Sequence, residues 1–289
     1  MEKTELNIDD LKYRLIIKPR RNLLEINFRE VWKYRELVFL FVRRDFVAIY
    51  KQTILGPLWF LIQPLFTTFI YTIIFARMAN ISTNGLPPMI FYLTGTIAWS
   101  YFSTTLLKTS DTFIQNAGIF GKVYFPRLTV PISIIFTNLI QFAIQFLLLS
   151  IIMLYYILFK ETQLDLGWNL LLIPFMVLLL ALLAFGMGVT ISSLTTKYRD
   201  LKYLLTFGIQ LFMYATPVIY PISEIPPKYQ SLILLNPLSS IIETFRFALT
   251  GTGFFSINYL IYSIVFCFAL LSIGILMFNR VESSFMDTV

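Results

Sequence analysis

Two stretches of the sequence place amide, hydroxyl and aromatic side chains at helical spacing. The first series repeats every four residues: Trp59, Gln63, Thr67 and Tyr71. The second has a comparable spacing: Tyr203, Thr206, Gln210 and Tyr214. Side chains three or four residues apart share one face of an α-helix. Aromatic rings can stack on sugar rings while amides and hydroxyls bind sugar hydroxyls, so these faces could line a path for a neutral polar solute such as a glycan. The alternative is adhesion between membrane helices, where Thr and Gln also form hydrogen bonds.

Two further series favour packing over transport. One repeats every four residues: Ser133, Thr137, Gln141 and Gln145. We expect these side chains mainly to bond to neighbouring helices. The other consists of small residues at the same spacing: Ala184, Gly188 and Ser192. Small residues four apart let two helix backbones approach closely, so this ridge is predicted to be a packing surface.

The polar series lie in segments that are otherwise apolar. The 289-residue chain is 57% hydrophobic and 13% charged, whereas roughly a quarter of the residues in soluble domains are charged. A helix of ~20 apolar residues crosses a bilayer, and only helices or closed barrels satisfy their backbone groups in lipid. The sequence therefore predicts an all-α membrane protein with six transmembrane helices, at about 57–77, 88–107, 130–158, 169–192, 202–220 and 257–279.

The basic residues predict the orientation of these spans. Nineteen of the 23 Lys and Arg residues fall in the N-terminal segment, the two connections after the second and fourth spans, and the C-terminal tail. By the positive-inside rule both termini are cytoplasmic. The first 56 residues are too charged for a secretory signal. Residues 1–33 are expected to form a cytoplasmic arm, residues 57–279 the transmembrane domain, and residues 280–289 a cytoplasmic tail.

Two segments outside the spans have distinctive patterns. Residues 34–56 combine a wide apolar face with a narrow basic stripe, which predicts an amphipathic helix in the membrane interface. Before the last span, residues 237–250 are too short to cross and too apolar for an exposed loop, so a re-entrant outward hairpin is predicted. Within it Glu243 and Arg246 are three residues apart and can pair on one face. This pair is either a solvated ion pair or part of an outward gate.

Composition excludes several kinds of chemistry. The chain has no His and only Cys267, so we predict no metal site and no catalytic residue. The segment Gly118-Ile-Phe-Gly121-Lys122-Val123 has two residues between its glycines, where a phosphate loop has four followed by Lys and Ser or Thr. No nucleotide site is therefore expected here. Nor does the basic excess predict nucleic-acid binding, because no soluble basic domain is present.

The predicted spans carry no ionisable residue near their centres, although ion-coupled transporters usually need such groups. The protein is therefore expected to be passive or to be driven by a partner. A membrane-embedded enzyme acting on a lipid carrier is less favoured. It would need carboxylates for a metal or a general base, commonly an Asp-x-Asp pair, which is absent.

Several segments together carry a family resemblance. In chain order they are Tyr34-Arg-Glu-Leu, Arg43-Arg-Asp, 50–59, Gly121-Lys-Val-Tyr-Phe-Pro-Arg127, Tyr198-Arg-Asp200, Thr216-Pro-Val-Ile-Tyr-Pro221 and Asn236-Pro-Leu. Over residues ~34–250 the chain resembles the membrane (permease) subunits of bacterial type-2 ATP-binding-cassette exporters of the polysaccharide branch. The resemblance implies a homodimer in the cytoplasmic (inner) membrane, surrounded by lipid. Two copies of a separate ATPase, which binds the ATP and Mg, would lie beneath it.

The resemblance also implies roles for individual residues. The first and fifth spans would line the channel: Trp59, Gln63, Thr67, Tyr71, Thr206, Gln210 and Tyr214. The 36–52 helix and the 108–125 connection would contact the ATPase: Arg43, Arg44, Lys51, Asp111, Gln115 and Lys122. The outward hairpin with Glu243 and Arg246 would flank the exit. The expected cargo is a lipid-linked polysaccharide, foremost O-antigen on undecaprenyl diphosphate. Alternatives are a capsular polysaccharide, a teichoic acid precursor, or a drug or small lipid carried by an exporter of the same superfamily.

Overall fold

The computed structural model describes residues 28–51, 53–161, 164 and 167–284, and within these ranges every regular element is a helix. The α-helices are α1 Phe28–Lys33, α2 Arg35–Lys51, α3 Trp59–Tyr71, α4 Pro88–Ser110, α5 Thr112–Phe120, α6 Thr129–Lys160, α7 Leu172–Thr195, α8 Leu201–Tyr214, α9 Pro227–Leu234, α10 Pro237–Thr250 and α11 Ile257–Ser284. Most of the predicted arm, residues 1–27, and the last five residues of the predicted tail lie outside the described residues. The prediction of an all-helical fold is confirmed.

Four of the described helical segments are long and apolar enough to cross a membrane: Gly56–Met78, Thr129–Lys160, Trp168–Thr195 and Ile257–Glu282. A fifth is possible if α9 and α10 form one broken span. The predicted second and fifth spans do not meet this criterion. Eight of the 23 residues of α4 are Ser or Thr, and α8 has 14 residues, which at 1.5 Å per residue is about 21 Å. The six-span count and the orientation stay predictions.

The limits predicted for the fifth span need correction. Its helix ends at Tyr214, not at residue 220. Pro217 follows, and a proline biases the residue before it away from helical backbone. Residues 215–219 instead form a turn in which the Val218 N–H bonds to the Thr216 carbonyl at 2.7 Å. The last helix shows the opposite difference, since α11 continues to Ser284 through the start of the predicted tail.

The centre of the fold is α4, which packs against α3, α6, α7, α8 and α10. Where it crosses α7, a Cβ on Gly188 would lie 2.6 Å from the Thr109 Cβ. Where α7 crosses α11, a Cβ on Gly274 would lie 2.6 Å from the Gly186 carbonyl oxygen. Both crossings are therefore possible only because Gly188 and Gly274 have no side chain. Together with the full burial of Ala184 and Ser192, they confirm the small-residue ridge of the fourth span as a packing surface.

A second apolar cluster joins the short helices to the ends of the long ones. Phe41 of α2 lies 5.8 Å from Phe125, measured between ring centroids. Phe113 of α5 stacks on Phe278 of α11 at 4.5 Å, and Phe120 contacts both Phe113 and Phe125. This Phe cluster combines α2, α5 and the end of α11 into one packed unit, since aromatic pairs bury large apolar surfaces.

The segment before the last helix bends sharply. The axes of α9 and α10 differ by 101° across the break. Asn236 caps α10, with its side-chain oxygen accepting from the Leu238 N–H at 3.0 Å, and Pro237 occupies the first helical position. The bend is thus specified by adjacent residues that end one helix and begin the next. Whether the pair re-enters the membrane remains a prediction.

Candidate functional site

The two polar series predicted for the channel lie on exposed parts of α3 and α8. Trp59 is 50% and Tyr214 is 59% exposed, and Gln63, Thr206 and Gln210 are also exposed. The helices meet where the Tyr71 hydroxyl donates to the Met213 Sδ at 3.8 Å. We call the seven predicted channel residues the α3–α8 face: Trp59, Gln63, Thr67, Tyr71, Thr206, Gln210 and Tyr214.

The polar groups of this face are not equally available to a solute. Thr67 donates its hydroxyl to the Gln63 carbonyl at 2.9 Å, and Thr206 donates to the Lys202 carbonyl at 2.9 Å. These hydroxyls satisfy their own helices. The amides of Gln63 and Gln210 and the aromatic side chains remain the groups that can contact a solute. The channel assignment itself is a prediction.

The third series contains a contact that explains a proline inside α3. Pro64 has no backbone N–H, so the carbonyl of Phe60, four residues earlier, lacks its helical donor. The Gln145 side chain of α6 supplies one, donating Nε2 to the Phe60 oxygen at 3.2 Å. Gln145 is buried. Gln145 therefore joins α6 to α3, as the sequence predicts for this series.

Replacing Gln145 with leucine is expected to destabilise the protein by about 1–3 kcal/mol, because the buried Phe60 carbonyl would lose its donor. The change can be measured as a lower midpoint in thermal unfolding of the purified protein. Gln141→Leu is the matched control, one turn away on α6 and half-buried, with an expected change within about 0.5 kcal/mol. Equal effects of the two substitutions would contradict the role of the Phe60 contact.

A further polar contact joins α4 to α6 near the Ser110 end of α4. Lys108 donates to the Asn138 Oδ1 at 3.1 Å, and the Asn138 amide donates to the Thr105 hydroxyl at 3.1 Å. Asn138 and Thr105 are buried. Asn138 was not predicted from the sequence because it falls outside the four-residue series. Its position three residues before Gln141 indicates that the two side chains share one helix face.

Glu243 and Arg246 form a buried ion pair on α10, with 0% and 1% of their respective surfaces exposed. The solvated interpretation of this pair is therefore wrong. The second carboxylate oxygen of Glu243 accepts from the Phe254 N–H at 3.1 Å. A buried charge requires both a counter-charge and hydrogen bonds, and both are present.

The Arg246 guanidinium also holds the turn that follows α8. It donates to the carbonyls of Pro217 at 3.0 Å and Val218 at 3.4 Å, and it lies 4.0 Å above the Phe91 ring of α4. Gly95 makes room for this arrangement, because a Cβ there would lie 2.8 Å from the Val218 oxygen and 3.1 Å from the guanidinium. Arg246 thus fastens the end of α8 to α4 and α10. Its predicted role as an outward gate remains a prediction.

Most residues predicted to contact an ATPase are exposed, on α2 and on or beside α5. Arg43, Arg44, Lys51, Gln115 and Lys122 all have exposed side chains. Arg44 pairs with Asp45 at 2.7 Å. Because the Phe cluster packs α2 against the α5 segment, these side chains belong to one packed unit.

Asp111 differs from the other predicted docking residues, since only 7% of it is exposed. Its Oδ2 accepts from the Lys202 ammonium at 2.6 Å and from the Gln115 amide at 3.0 Å. Although Asp111 immediately precedes α5, its side chain does not cap that helix. The Oδ2 atom of Asp111 is thus engaged within the chain, and its predicted contact with an ATPase stays a prediction.

No group of three or more Cys, Asp and Glu side chains close enough to hold a metal ion occurs among the described residues. In the same part of the chain, three features can bind a partner or hold helices together: the α3–α8 face, the Glu243–Arg246 pair, and the exposed polar side chains on α2 and around α5. Such features can bind a solute or a protein partner and can hold helix ends in position.

Comparison with known proteins identifies the family of this chain. Residues 36–250 match the ABC-2 type transporter family. The chain is 28% identical to an O-antigen export system permease protein RfbA of Klebsiella pneumoniae, over 87% of this chain and 94% of that one. A Myxococcus xanthus protein of the same name is 27% identical, over 75% and 82%. The polysialic acid transport protein KpsM of Escherichia coli is 25% identical, over 81% and 89%.

The family match covers well over half of the chain and includes α3, α4, α5, α8 and α10, which carry the features described above. The apolar helices agree with it. The chain therefore belongs to the ABC-2 type transporter family and is a multi-pass protein of the inner membrane.

Proposed function

We propose that this chain is the permease subunit of an ATP-driven exporter of a lipid-linked polysaccharide. The observation that carries the proposal is the α3–α8 face, where amides and aromatic rings are exposed on helices that are otherwise apolar. Exposed amides are costly against lipid tails. They are favourable against a hydrated glycan, whose hydroxyls they can bind while the rings of Trp59 and Tyr214 stack on sugars.

The cargo we propose is O-antigen on undecaprenyl diphosphate. Support comes from bacterial relatives named as O-antigen permeases, which match at 27–28% identity. A capsular polysaccharide is the second candidate, favoured by the relative named as a polysialic acid transporter at 25% identity. A neutral polar face suits either cargo and is less suited to an apolar drug.

In this proposal six spans cross the membrane with both termini in the cytoplasm, and α9 and α10 re-enter from the outside. Two copies of the chain bring their α3–α8 faces together around the path. The nineteen basic residues of the predicted inner segments support this orientation. The 101° bend at Asn236-Pro237 supports the re-entrant hairpin.

The energy would come from two copies of a separate ATPase that binds ATP and Mg. In support, the charged residues of the described helices α3 to α8 lie mainly at the helix ends. The interiors of these helices therefore lack the ionisable groups that ion-coupled transporters usually need. The ATPase would contact the exposed charges of α2, Gln115 of α5 and Lys122 after α5. The Phe cluster would carry the resulting movement into α11 and α6.

The test is to purify the chain from its native membrane with any associated protein. We expect an ATPase to co-purify and its hydrolysis rate to rise when the isolated lipid-linked glycan is added. Replacing the glycan with its lipid carrier alone separates recognition of the sugar from recognition of the carrier. Transport that persists without any ATPase would instead support a passive channel.

A further inference from the structure

The ends of four helices meet at Asp111. This residue lies between α4 and α5, and its carboxylate accepts from Lys202 in the first turn of α8. A second bond joins the same region to the end of α7, where the Thr195 hydroxyl donates to the Ser110 carbonyl at 3.2 Å. We call these residues the inner joint: Ser110, Asp111, Gln115, Thr195 and Lys202.

The burial of the two charged partners is unequal. The Asp111 side chain is 9% exposed and the Lys202 side chain is 44% exposed. A buried carboxylate requires its counter-charge more than a half-exposed ammonium does. Gln115 of α5 donates to the same carboxylate oxygen as Lys202. The carboxylate thus binds α5 and α8 at one atom, so a movement of either helix alone would break one of its two bonds.

Helix α8 has few other attachments within the chain. Only Ile209 among its 14 residues is buried. Beyond the inner joint, Phe212 packs near Trp99 and Phe102 of α4, and Arg246 holds the turn after the helix. Core packing normally dominates helix stability, and α8 has far fewer buried residues than α4. Its position therefore depends strongly on the groups that hold its ends.

We infer that Asp111 and Lys202 are positioning residues that make α8 follow α5. This inference rests on the proposed function, in which α5 receives movement from an ATPase and α8 lines the path. Movement of α5 would carry the Asp111 carboxylate with it, and Lys202 would carry the start of α8. The other end of α8 would be kept in place by Arg246, so the helix would tilt. This role requires no contact of either residue with the solute or the nucleotide.

The experiment uses the reconstituted complex with its ATPase and measures glycan exported per ATP hydrolysed. Asp111→Asn retains an oxygen for Gln115 but removes the charge that holds Lys202. Lys202→Gln removes the ammonium, and Lys202→Arg retains a cation. We expect Asp111→Asn and Lys202→Gln to lower the export-to-hydrolysis ratio about tenfold, the scale of a charged hydrogen bond. Lys202→Arg should keep most of the wild-type ratio.

Lys197→Gln is the matched control and should leave the ratio unchanged. Lys197 is an exposed residue just before α8, and its ammonium lies over the Tyr198 ring.

The outcomes separate this inference from the proposed function. If the wild-type complex exports no glycan with ATP, the proposed function fails. If the wild type exports and Asp111→Asn and Lys202→Gln retain its ratio, the inner joint does not couple the helices and the inference is overturned. A variant that assembles poorly and loses export and hydrolysis in equal proportion also contradicts the inference, because positioning predicts hydrolysis without export. Assembly is checked by the yield of complex and its thermal midpoint.

Discussion

Replacing Arg246 with methionine is expected to destabilise the protein by about 3–5 kcal/mol, because the substitution leaves the Glu243 carboxylate buried without its counter-charge. The same change removes the donors to the Pro217 and Val218 carbonyls. Methionine has a similar length and no charge, so lost packing contributes little. We expect the thermal midpoint to fall by about 6–20 °C, together with a large loss of folded protein in the membrane.

Two further variants separate charge from packing. Adding Glu243→Gln to Arg246→Met should restore part of the lost stability, since no uncompensated charge then remains. Lys228→Met is the matched control on the same hairpin, because Lys228 is exposed and lies over the Tyr229 ring. It should change the midpoint by no more than surface substitutions usually do. If Arg246→Met has no larger effect than Lys228→Met, the ion pair does not fasten the end of α8.

Combining Gln63→Leu with Tyr214→Ala should strongly reduce export while the complex assembles normally. The first change removes an exposed amide of α3, and the second removes an exposed ring of α8 that can stack on sugars. Hydrogen bonds contribute about 0.5–1.5 kcal/mol each. Losing an amide and a ring together should therefore lower the export rate at least about tenfold. The rate is measured as labelled glycan appearing outside cells or in the outer leaflet of vesicles.

Tyr155→Ala is the matched control for this pair. Tyr155 of α6 is 50% exposed, close to the 59% of Tyr214, and it lies outside the α3–α8 face. Its replacement should leave export unchanged. If the double variant fails to assemble, the α3–α8 face packs against another surface. If it assembles and exports normally, the face does not line the path.

The helical fold and the location of the chemical groups could be predicted from the sequence because both depend on periodic patterns. Long apolar segments predict the long helices, and helical spacing places Gln63 and Gln210 on exposed faces. The small-residue ridge at Gly188 could be predicted as well, since a missing side chain has a direct packing consequence. The hydrogen bond from Gln145 to the Phe60 carbonyl could not be predicted, because it joins residues 85 positions apart.

The partners of charged residues could not be predicted, because they depend on contacts between distant segments. Asp111 is separated from Lys202 by two long helices, and nothing in the local sequence indicates that they pair. Its docking role was implied by the family resemblance, which says nothing about a partner within the chain. Arg246 was matched to Glu243 by spacing, but its contacts with Pro217 and Val218 require the turn after α8. That turn was itself predicted to be helix.

The most direct test of the proposed function is ATP-dependent transfer of a lipid-linked glycan in vesicles. Purified chain and its co-purified ATPase are reconstituted with isolated undecaprenyl-linked O-antigen, and the glycan reaching the opposite leaflet is measured by accessibility to a glycan-binding probe. Transfer is expected with ATP and Mg. It should be absent with a non-hydrolysable ATP analogue, without the ATPase, or with the Gln63→Leu/Tyr214→Ala variant. Transfer at the same rate without ATP or without the ATPase would contradict the proposal that this chain is the permease of an ATP-driven polysaccharide exporter.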